Sequence, residues 1–427
     1  MKTLQSVLEK IIPDQKLAVN QLLDEMGNKK ISDVTVQQAF TGMRGVKGFI
    51  CDTSSVSADK GLVVRGKPII ELTDLLPEET FYFLCTGELP GEEALNDLQS
   101  QFNEKMVVPD YVWDVVRAMP SDSHPMAMFN TAILVMEKES EFRRHYENGI
   151  RRRDYWRYTL TDAINLLAKL PAVGAGIYRI RFDKGDLIEP NPDLDWGANF
   201  AYMTGLPDPN GEYSKLMRLY FTLHCDHEGG NVSAFSSLTV ASALSDLYYA
   251  ISAGLNGLAG PLHGLANQES LKFILKVMEK FGGIPEKGEL KNYIFDCIHS
   301  GKVVPGYGHA VLRCVDPRFT AFYEFGEKYC GDDPAYKTVE IMSKVVPEVL
   351  KEEGKAKNPW PNVDAISGAM LHSFGMTEFS FYTVLFSISR VMGISAQIIL
   401  NRALGIPLMR PKSVTTDWIK SFSNDNP

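Results

Sequence analysis

A mainly α-helical fold is predicted for this chain of 427 residues by three features of its sequence. First, apolar residues recur at i, i+3, i+4 and i+7 in many segments, for example at 160–167 and 216–223. Second, Gly and Pro separate these segments, as they commonly do where helices end. Third, only 48–52 and 61–65 have the pattern of strands, and a polar turn joins them. The prediction is a helical protein with one small β-hairpin near its N-terminus.

The helical periodicity also predicts where the helices lie and how the chain is divided. In chain order the predicted helices span 97–117, 126–147, 159–170, 213–227, 234–256, 265–281, 289–299, 335–353 and 376–404. Two breaks, at 257–264 and 351–361, bracket about 100 residues, which is a usual size for a domain. We therefore predict a large helical domain formed by residues 1–264 and 371–427, with a smaller helical domain, 265–370, inserted into it.

The composition is that of a compact protein, with 44% hydrophobic residues and a formal net charge of −9. Such a chain does not offer nucleic acid a basic surface, so any anionic ligand must be gathered by local arginines. The six cysteines are scattered without a CxxC pair. This spacing favours free thiols in a reducing compartment.

Neither a membrane segment nor a targeting signal is predicted. The apolar segment 380–400 has Arg390 at its centre, so it is interpreted as a buried core helix. The N-terminal stretch 1–15 lacks the apolar core of a signal peptide and the Arg/Ser richness of a transit peptide. We expect a cytoplasmic protein, with a processed enzyme of the mitochondrial matrix as the alternative.

A histidine pair ends one predicted helix, in the segment HCDHEGGN. His224 and His227 are three positions apart, which places both imidazoles on one helix face. They can be core histidines at a helix C-terminus, where a cation suits the dipole, or part of a site for an anion. A metal site is less favoured, because the order H-x-x-H-E differs from the H-E-x-x-H of zinc proteases.

Two further histidines lie in turns where they could take part in catalysis or in binding an anion. His263 precedes the predicted helix 265–281, whose dipole would lower the imidazole pKa and let the neutral ring donate to a developing enolate. The segment VVPGYGHAVLRCVDPRF places His309 near Arg313 and Arg318, and its glycines expose backbone N–H groups to a carboxylate or phosphate. Both segments also have a purely structural interpretation. His263 can be a histidine that satisfies backbone groups of its turn, and the 303–319 segment can be an ordinary turn with solvated arginines. The loop lacks a third glycine and a GK[ST] ending, so neither a dinucleotide fold nor a P-loop is predicted.

An acid and two further arginines complete the candidate site. Asp364 precedes an apolar helical run and can be either an N-cap or a general base held in a Pro-bounded turn. Arg390, inside an apolar helix, requires an anion from a protein carboxylate or from a ligand. Arg410 lies in a Pro-flanked loop from which it can reach such an anion. Together these groups predict a site for a small polyanion.

Five segments in this order make the chain similar to citrate synthase, of the dimeric type known from eukaryotic mitochondria: HCDHEGGNVS, NGLAGPLHGLANQE, VVPGYGHAVLR with DPR, PWPNVDAISG and RALGIPLMRPKS. The similarity extends from GMRGVKG at 42–48 to RPKS at 410–413. It implies an almost wholly helical homodimer with a large domain, a smaller inserted domain, and sites to which both subunits contribute. One residue departs from the family pattern, because Phe235 follows NVSA where the family has His.

The resemblance implies an acyltransferase that condenses acetyl-CoA with oxaloacetate and hydrolyses citryl-CoA to citrate and CoA. It implies that Asp364 removes a methyl proton from acetyl-CoA, that His263 donates to the thioester carbonyl, and that His309 polarises the oxaloacetate ketone. Oxaloacetate would be held by His227, Arg318, Arg390 and, across the dimer interface, Arg410. CoA would be contacted by Val303, Val304, Pro305, Gly306, Arg313, Arg44 and Arg152. No metal or other cofactor is implied.

Alternatives to this function stay open on the sequence. 2-Methylcitrate synthase, which uses propionyl-CoA with the same catalytic set, differs by one methylene, and that changes discrimination by only about 1–3 kcal/mol. A metal-dependent hydrolase built on His224 and His227 would lose activity to a chelator. A silent CoA-binding protein would bind without turnover. The basic run 151–153 can also be a solvated or dimer-facing surface rather than a CoA contact.

Overall fold

The computed structural model describes residues 3–308, 311–354 and 358–425, with side chains described to 422. The first half of the described chain forms helices α1 (Leu4–Met26), α2 (Val36–Phe40), α3 (Pro77–Thr86), α4 (Glu92–Lys105), α5 (Asp110–Ala118), α6 (Pro125–Val135), α7 (Glu141–Glu147), α8 (Tyr155–Arg181) and α9 (Trp196–Thr204). The second half forms α10 (Glu212–His224), α11 (Val232–Ser242), α12 (Leu247–Leu258), α13 (Ala266–Phe281), α14 (Lys287–His299), α15 (Pro317–Tyr329), α16 (Pro334–Glu352), α17 (Asp364–Ser373), α18 (Tyr382–Leu404) and α19 (Thr416–Asp425). The prediction of a mainly α-helical protein is confirmed.

Three predicted helices are each divided in two by a capping residue. Within the predicted helix 97–117, α4 ends at Lys105 and α5 begins after its N-cap Pro109. A proline disfavours the helical conformation in the residue before it. Ser140 caps α7 within the predicted 126–147, and its side chain accepts from the Arg143 N–H. Asp246 likewise caps α12, where it accepts from Tyr249 N–H. Because the apolar periodicity continues across these three helix boundaries, it could not predict where they lie.

Other helices were not predicted or were predicted too short. Helices α1, α2, α3, α9, α15, α17 and α19 lie outside the predicted segments. Helix α8 continues through Pro171, whose ring leaves the Leu167 carbonyl without its helical partner. The indole Nε1–H of Trp196 donates to that carbonyl at 2.7 Å, so a neighbouring helix satisfies the group that Pro171 leaves free.

The predicted hairpin exists, but its first strand lies further along the chain. The sheet has three antiparallel strands, β1 (Ser54–Ser57), β2 (Gly61–Val64) and β3 (Lys67–Pro68), in the order β1-β2-β3. Residues 48–52, predicted as a strand, are not one, because β1 is built from the Ser-rich segment that was assigned to the turn. Ser54 pairs with Val64 and Ser57 pairs with Gly61.

The centre of the fold is formed by two long apolar helices. Residues 152–181 and 379–404 are each long and apolar enough to cross a membrane, but the apolar parts of these segments are 83% and 94% buried inside the protein. The interpretation of 380–400 as a core helix is confirmed. All six cysteines are free thiols, as expected.

Helices α13 to α17 pack against one another, with α13 against α17 and α16, α14 against α16, and α15 against α17. These helices fall in and just beyond the predicted inserted domain, 265–370. Contacts of α15 with α10 and with β2 join them to the remaining helices. The division into two domains stays a prediction.

Candidate active site

Arg390 lies in the middle of α18 and is 1% exposed. Its Nε donates to the His224 carbonyl at 3.1 Å, and its guanidinium stacks 4.6 Å from the centre of the Phe386 ring. Burial lowers the pKa of Arg390 to about 10, and the charge of Asp226 opposes this effect. Among the described residues, Nη1 is buried without a hydrogen-bond partner. The protein thus leaves part of this cation for an anionic ligand.

Arg318, in contrast, has its own carboxylate. Its Nε donates to Asp316 Oδ1 at 3.1 Å and its Nη2 donates to Asp316 Oδ2 at 2.7 Å. Asp316 is fully buried and also caps α15, accepting from the Arg318 backbone N–H. Burial would raise the pKa of Asp316, but the charge of Arg318 and, less strongly, that of His227 hold it below its usual value. The ion pair therefore fixes Arg318 before any substrate arrives.

Asp364 begins α17, and the N-cap is Val363, so the interpretation of Asp364 as an N-cap is wrong. Its backbone N–H donates to Asn362 Oδ1 at 2.9 Å. Asp364 is partly exposed. Burial raises the pKa of Asp364 to about 6, with Arg318 and Arg390 pulling it down and Asp316 adding to the rise. It is a carboxylate with increased basicity that is still ionised at neutral pH.

The loop 303–308 is hydrogen-bonded to the segment that precedes Asp364. Asn362 N–H donates to the Gly306 carbonyl at 2.9 Å, and Gly308 N–H donates to the Trp360 carbonyl at 3.1 Å. Gly306 has φ +82°, and a Cβ there would lie 2.6 Å from Ala365 Cα, so only glycine fits. The PGYG loop and the PWPNVD segment are therefore one packed unit.

His263 accepts one backbone hydrogen bond through Nε2. The Ser233 backbone N–H donates to Nε2 at 3.3 Å, and Ser233 Oγ lies 2.9 Å from the same nitrogen. Burial, followed by the charge of Arg390, lowers the pKa of His263 to about 4, so the ring is neutral. A neutral ring that accepts at Nε2 carries its proton on Nδ1, which can donate to a substrate.

The neutral state of His263 was predicted, but for a different reason. The helix that follows it, α13, begins only at Ala266 and is capped by Leu265. The N–H group that contacts the ring belongs to Ser233, in the first turn of α11. Burial is the larger cause of the lowered pKa, and the helix terminus that touches His263 comes from elsewhere in the chain.

The two histidines of HCDHEGGN do not share a helix face, contrary to the prediction. Helix α10 ends at His224, and His227 lies beyond it in a turn where Glu228 has φ +52°. His224 is a core histidine, because its Nδ1 lies 2.9 Å from the Tyr220 carbonyl and burial lowers its pKa to about 3. His227 is half-buried and electrostatically close to Asp316.

A fully buried carboxylate holds the turn of His227 in place. Asp226 accepts from Thr53 Oγ1 at 2.6 Å, Ser54 Oγ at 2.9 Å and Gln397 Nε2 at 2.7 Å. Ser54 Oγ also accepts from the Glu228 N–H at 2.7 Å. The hairpin and α18 therefore clamp the turn from two sides.

The remaining predicted site residues are placed less centrally. Arg44, Arg313 and Arg410 are exposed, and Arg313 Nη1 donates to the Leu312 carbonyl at 2.6 Å. Arg152 is exposed and its Nη2 donates to the Gly405 carbonyl at 2.8 Å. In the predicted CoA loop, Val304 is buried, Val303 is exposed, and Pro305 and Gly306 are intermediate. His309 lies outside the described residues.

The electrostatic contacts show which predicted residues the fold brings together. Asp364 interacts with Arg318 and Arg390, and His263 interacts with Arg390. These four residues come from α17, α15, α18 and the turn before α13, so no single segment contains the site. The arrangement combines a base, a neutral hydrogen-bond donor and a cation with one open donor group.

Sequence reasoning missed two residues that support this site. Asp316 pairs with Arg318, and its Oδ2 accepts from Val363 N–H at 3.3 Å, just before Asp364. Its signal was the Asp-Pro dipeptide, which is typical of an N-cap followed by Pro at the first helical position. Ser233 orients His263, but the sequence contains no local signal for a contact thirty positions away.

Comparisons with known proteins point to one family. The model of the citrate synthase C-terminal domain matches residues 42–412. Citrate synthase 4, mitochondrial, of Arabidopsis thaliana is 45% identical, with 98% of this chain and 90% of the relative covered. Citrate synthase, mitochondrial, of Xiphias gladius is 44% identical over 98% of this chain and 91% of the relative. The crystal structure of citrate synthase from Pyrobaculum aerophilum has a TM-score of 0.78 at 28% identity, covering 88% of this chain and 92% of that one.

Proposed function

Because the chain belongs to the citrate synthase family, we propose that the cleft around Asp364 and His263 condenses acetyl-CoA with oxaloacetate and hydrolyses the resulting citryl-CoA. The observation that supports these roles most strongly is the pair of opposite pKa shifts. The pKa of Asp364 is raised to about 6 and that of His263 is lowered to about 4, mainly by burial in both cases. At neutral pH this leaves an ionised base and an uncharged donor, both of which interact with Arg390.

In the proposed first step, the Asp364 carboxylate takes a methyl proton from acetyl-CoA. The electrons of that C–H bond move into the enolate, whose oxygen accepts a hydrogen bond from His263 Nδ1–H. An α-proton of a thioester is weakly acidic, so stabilising the enolate oxygen is the larger requirement. A neutral imidazole suits this role because its N–H donates a hydrogen bond to the enolate oxygen while the ring carries no charge.

In the proposed second step, the enolate carbon attacks the ketone carbon of oxaloacetate and forms the new C–C bond. The ketone oxygen takes up a proton, and His309 is the proposed donor. Arg318, Arg390 and His227 would hold the oxaloacetate carboxylates, with Arg390 Nη1 as the open donor. Water then cleaves the citryl thioester, and citrate and the CoA thiol leave.

We also propose the homodimer, with Arg410 reaching the partner's site. Arg410 is exposed in this protomer and lies on the extended segment after α18. That segment and α19 carry further exposed apolar side chains, including Leu408 and Trp418, which would be covered by a second copy. The CoA contacts of Val303, Val304, Pro305, Gly306, Arg313, Arg44 and Arg152 remain proposals of the same kind.

The comparisons alter two expectations drawn from the sequence, the alternative substrate and the cellular location. The relatives are named citrate synthases, so the 2-methylcitrate synthase alternative is not favoured. Cytoplasmic placement receives no support from relatives whose names say mitochondrial, and those names favour the matrix alternative. Fractionation of cells that express the full chain measures this placement directly.

The test is release of CoA thiol with oxaloacetate and either acetyl-CoA or propionyl-CoA. Wild type should prefer acetyl-CoA, and Asp364→Asn should lower kcat by about 10²–10⁴-fold, because the amide keeps the shape but cannot take a proton. Asp296→Asn, the same change on the exposed surface of α14, is the matched control and should leave kcat unchanged. Full activity in Asp364→Asn, or a higher kcat/KM for propionyl-CoA, would contradict the proposal.

A further inference from the structure

A second pocket lies between α4, α8, α9 and the loop that precedes α9. Its volume is about 120 Å³, which is enough for several waters or a small organic molecule. None of its lining residues belongs to the proposed catalytic, oxaloacetate or CoA set. Its walls are largely apolar, and its polar lining consists of Glu78, Gln99, Asn103, Asp193, Asp195 and Asn199.

The wall of this pocket is held rigidly by Trp196. At one end, the Trp196 backbone N–H donates to Glu78 Oε1 at 2.9 Å. At the other, its Nε1–H donates to the Leu167 carbonyl, the group that Pro171 leaves unpaired. The pocket is therefore preformed, which reduces the ordering cost of binding.

Glu78 is a polar group of this wall whose hydrogen bonding is incomplete. Its side chain is 2% exposed, and Oε1 accepts from Trp196 and, at 3.4 Å, from Gln99 Nε2. Among the described residues, Oε2 is buried without a hydrogen-bond partner. A buried carboxylate oxygen without a donor is costly, so a group that donates to it would bind favourably.

The other charged groups around Glu78 do not supply that donor. Arg218 on α10 is committed to Asp195, with Nε and Nη2 at 2.9 and 2.5 Å from Oδ2. Asp195 also caps α9, where Oδ1 accepts two backbone N–H groups. The exposed Asp193 adds a further negative charge to the rim. The pocket therefore has an excess of negative charge at one end and apolar walls elsewhere.

We propose that this pocket binds a small organic cation, a primary alkylammonium ion, which donates to Glu78 Oε2 and places its alkyl group against the apolar walls. A divalent metal fits less well, because such ions take six or more oxygen ligands. No group of three or more His, Cys, Asp or Glu side chains suited to a metal occurs in the described chain. An ammonium ion needs only a few acceptors and tolerates apolar neighbours.

The experiment is thermal unfolding of the full chain titrated with ethylammonium chloride. Tetramethylammonium chloride, which has no N–H donor, replaces it to keep the salt constant. Binding should raise Tm in proportion to the logarithm of the ethylammonium concentration above Kd, by roughly 1–3 °C at about ten times Kd. Glu78→Gln should abolish the rise, and Glu88→Gln, the same change at an exposed position beyond α3, should retain it.

A pH comparison on the wild type keeps the test independent of any variant. Burial, with the nearby charge of Asp195 adding to it, raises the pKa of Glu78 to about 7. The cation needs the ionised form, so the apparent Kd should be roughly tenfold weaker at pH 6 than at pH 8. A wild-type Tm that is no higher in ethylammonium than in tetramethylammonium would mean that the pocket holds water only. An equal rise in Glu78→Gln would place binding elsewhere. Either result overturns the proposal.

Discussion

Arg318 and Arg390 are two buried arginines that interact electrostatically with the same carboxylate, Asp364, yet the protein treats them in opposite ways. Arg318 is paired through two hydrogen bonds with Asp316, and that carboxylate raises its pKa although burial opposes the rise. In the part of the chain that the structure describes, Arg390 has no such pair, and burial lowers its pKa to about 10. The fold satisfies Arg318, whereas Arg390 keeps Nη1 without a hydrogen-bond partner among the described residues.

The difference between Arg318 and Arg390 means that one arginine affects mainly the stability of the fold and the other mainly the binding of a ligand. A buried charge without a partner destabilises the folded chain, whereas a paired one is strongly destabilising only when it is broken. The Arg318–Asp316 pair should therefore support the fold, and Arg390 should support affinity for an anion. Substituting each arginine by methionine, which is unbranched and uncharged, compares the two directly.

The largest effect is expected for Arg318→Met. It leaves the fully buried Asp316 without its cation, so the free energy of unfolding should fall by about 3–5 kcal/mol. Chemical denaturation measures this loss. Adding Asp316→Asn to Arg318→Met removes the unpaired charge and should recover part of the stability. A single variant as stable as wild type would show that the pair does not support the fold.

Arg390→Met should leave the fold intact and weaken substrate binding. Its buried charge is a cost to the unliganded protein, so the free energy of unfolding should stay the same or rise. Loss of a buried charged donor to a carboxylate should weaken oxaloacetate binding by about 2–5 kcal/mol. Calorimetric titration with oxaloacetate, run beside unfolding of the same sample, separates the two effects. Unchanged affinity would remove Arg390 from the proposed site.

The pH dependence of activity tests the opposite shifts of Asp364 and His263. Because the pKa of Asp364 is raised to about 6, its carboxylate is lost as pH falls through 6. Below that value, kcat/KM for acetyl-CoA should fall about tenfold per pH unit. With its pKa near 4, His263 stays neutral across this range and adds no second limb until the pH is much lower. An acid limb near pH 4 alone would indicate that Asp364 has an ordinary pKa.

The smallest effect is expected for Phe235→His, which restores the residue of the family pattern. Phe235 is 42% exposed and packs against Phe49 with ring centres 5.5 Å apart. Its ring contact is with Phe49 and not with Asp364 or His263. We therefore expect KM for acetyl-CoA to change by less than about threefold and stability by about 0.5–1.5 kcal/mol. Steady-state kinetics and unfolding check both. A large loss of kcat would mean that this ring helps to position Ser233 and His263.

Much of the fold could be predicted because apolar periodicity reports on buried helix faces. The stripes of α10, α13 and α18 were sufficient for that. Helix boundaries were less predictable, since a single capping residue such as Asp246 or Ser140 divides a continuous apolar stripe. The first strand was placed too early because its serines have the composition of a turn, and pairing with β2 outweighs that preference.

The sequence by itself determined the chemical types at the site and their order along the chain. It supplied an acid after a Pro-bounded turn, a histidine before a helix, and an arginine inside an apolar core helix, and these motifs identified the family. Only the tertiary structure decided that Ser233 contacts His263, that Asp316 pairs with Arg318, and that Glu78 keeps one oxygen without a partner among the described residues. Charge states depend on which groups surround a side chain, and for His263 and Asp364 those groups come from distant segments brought together by packing.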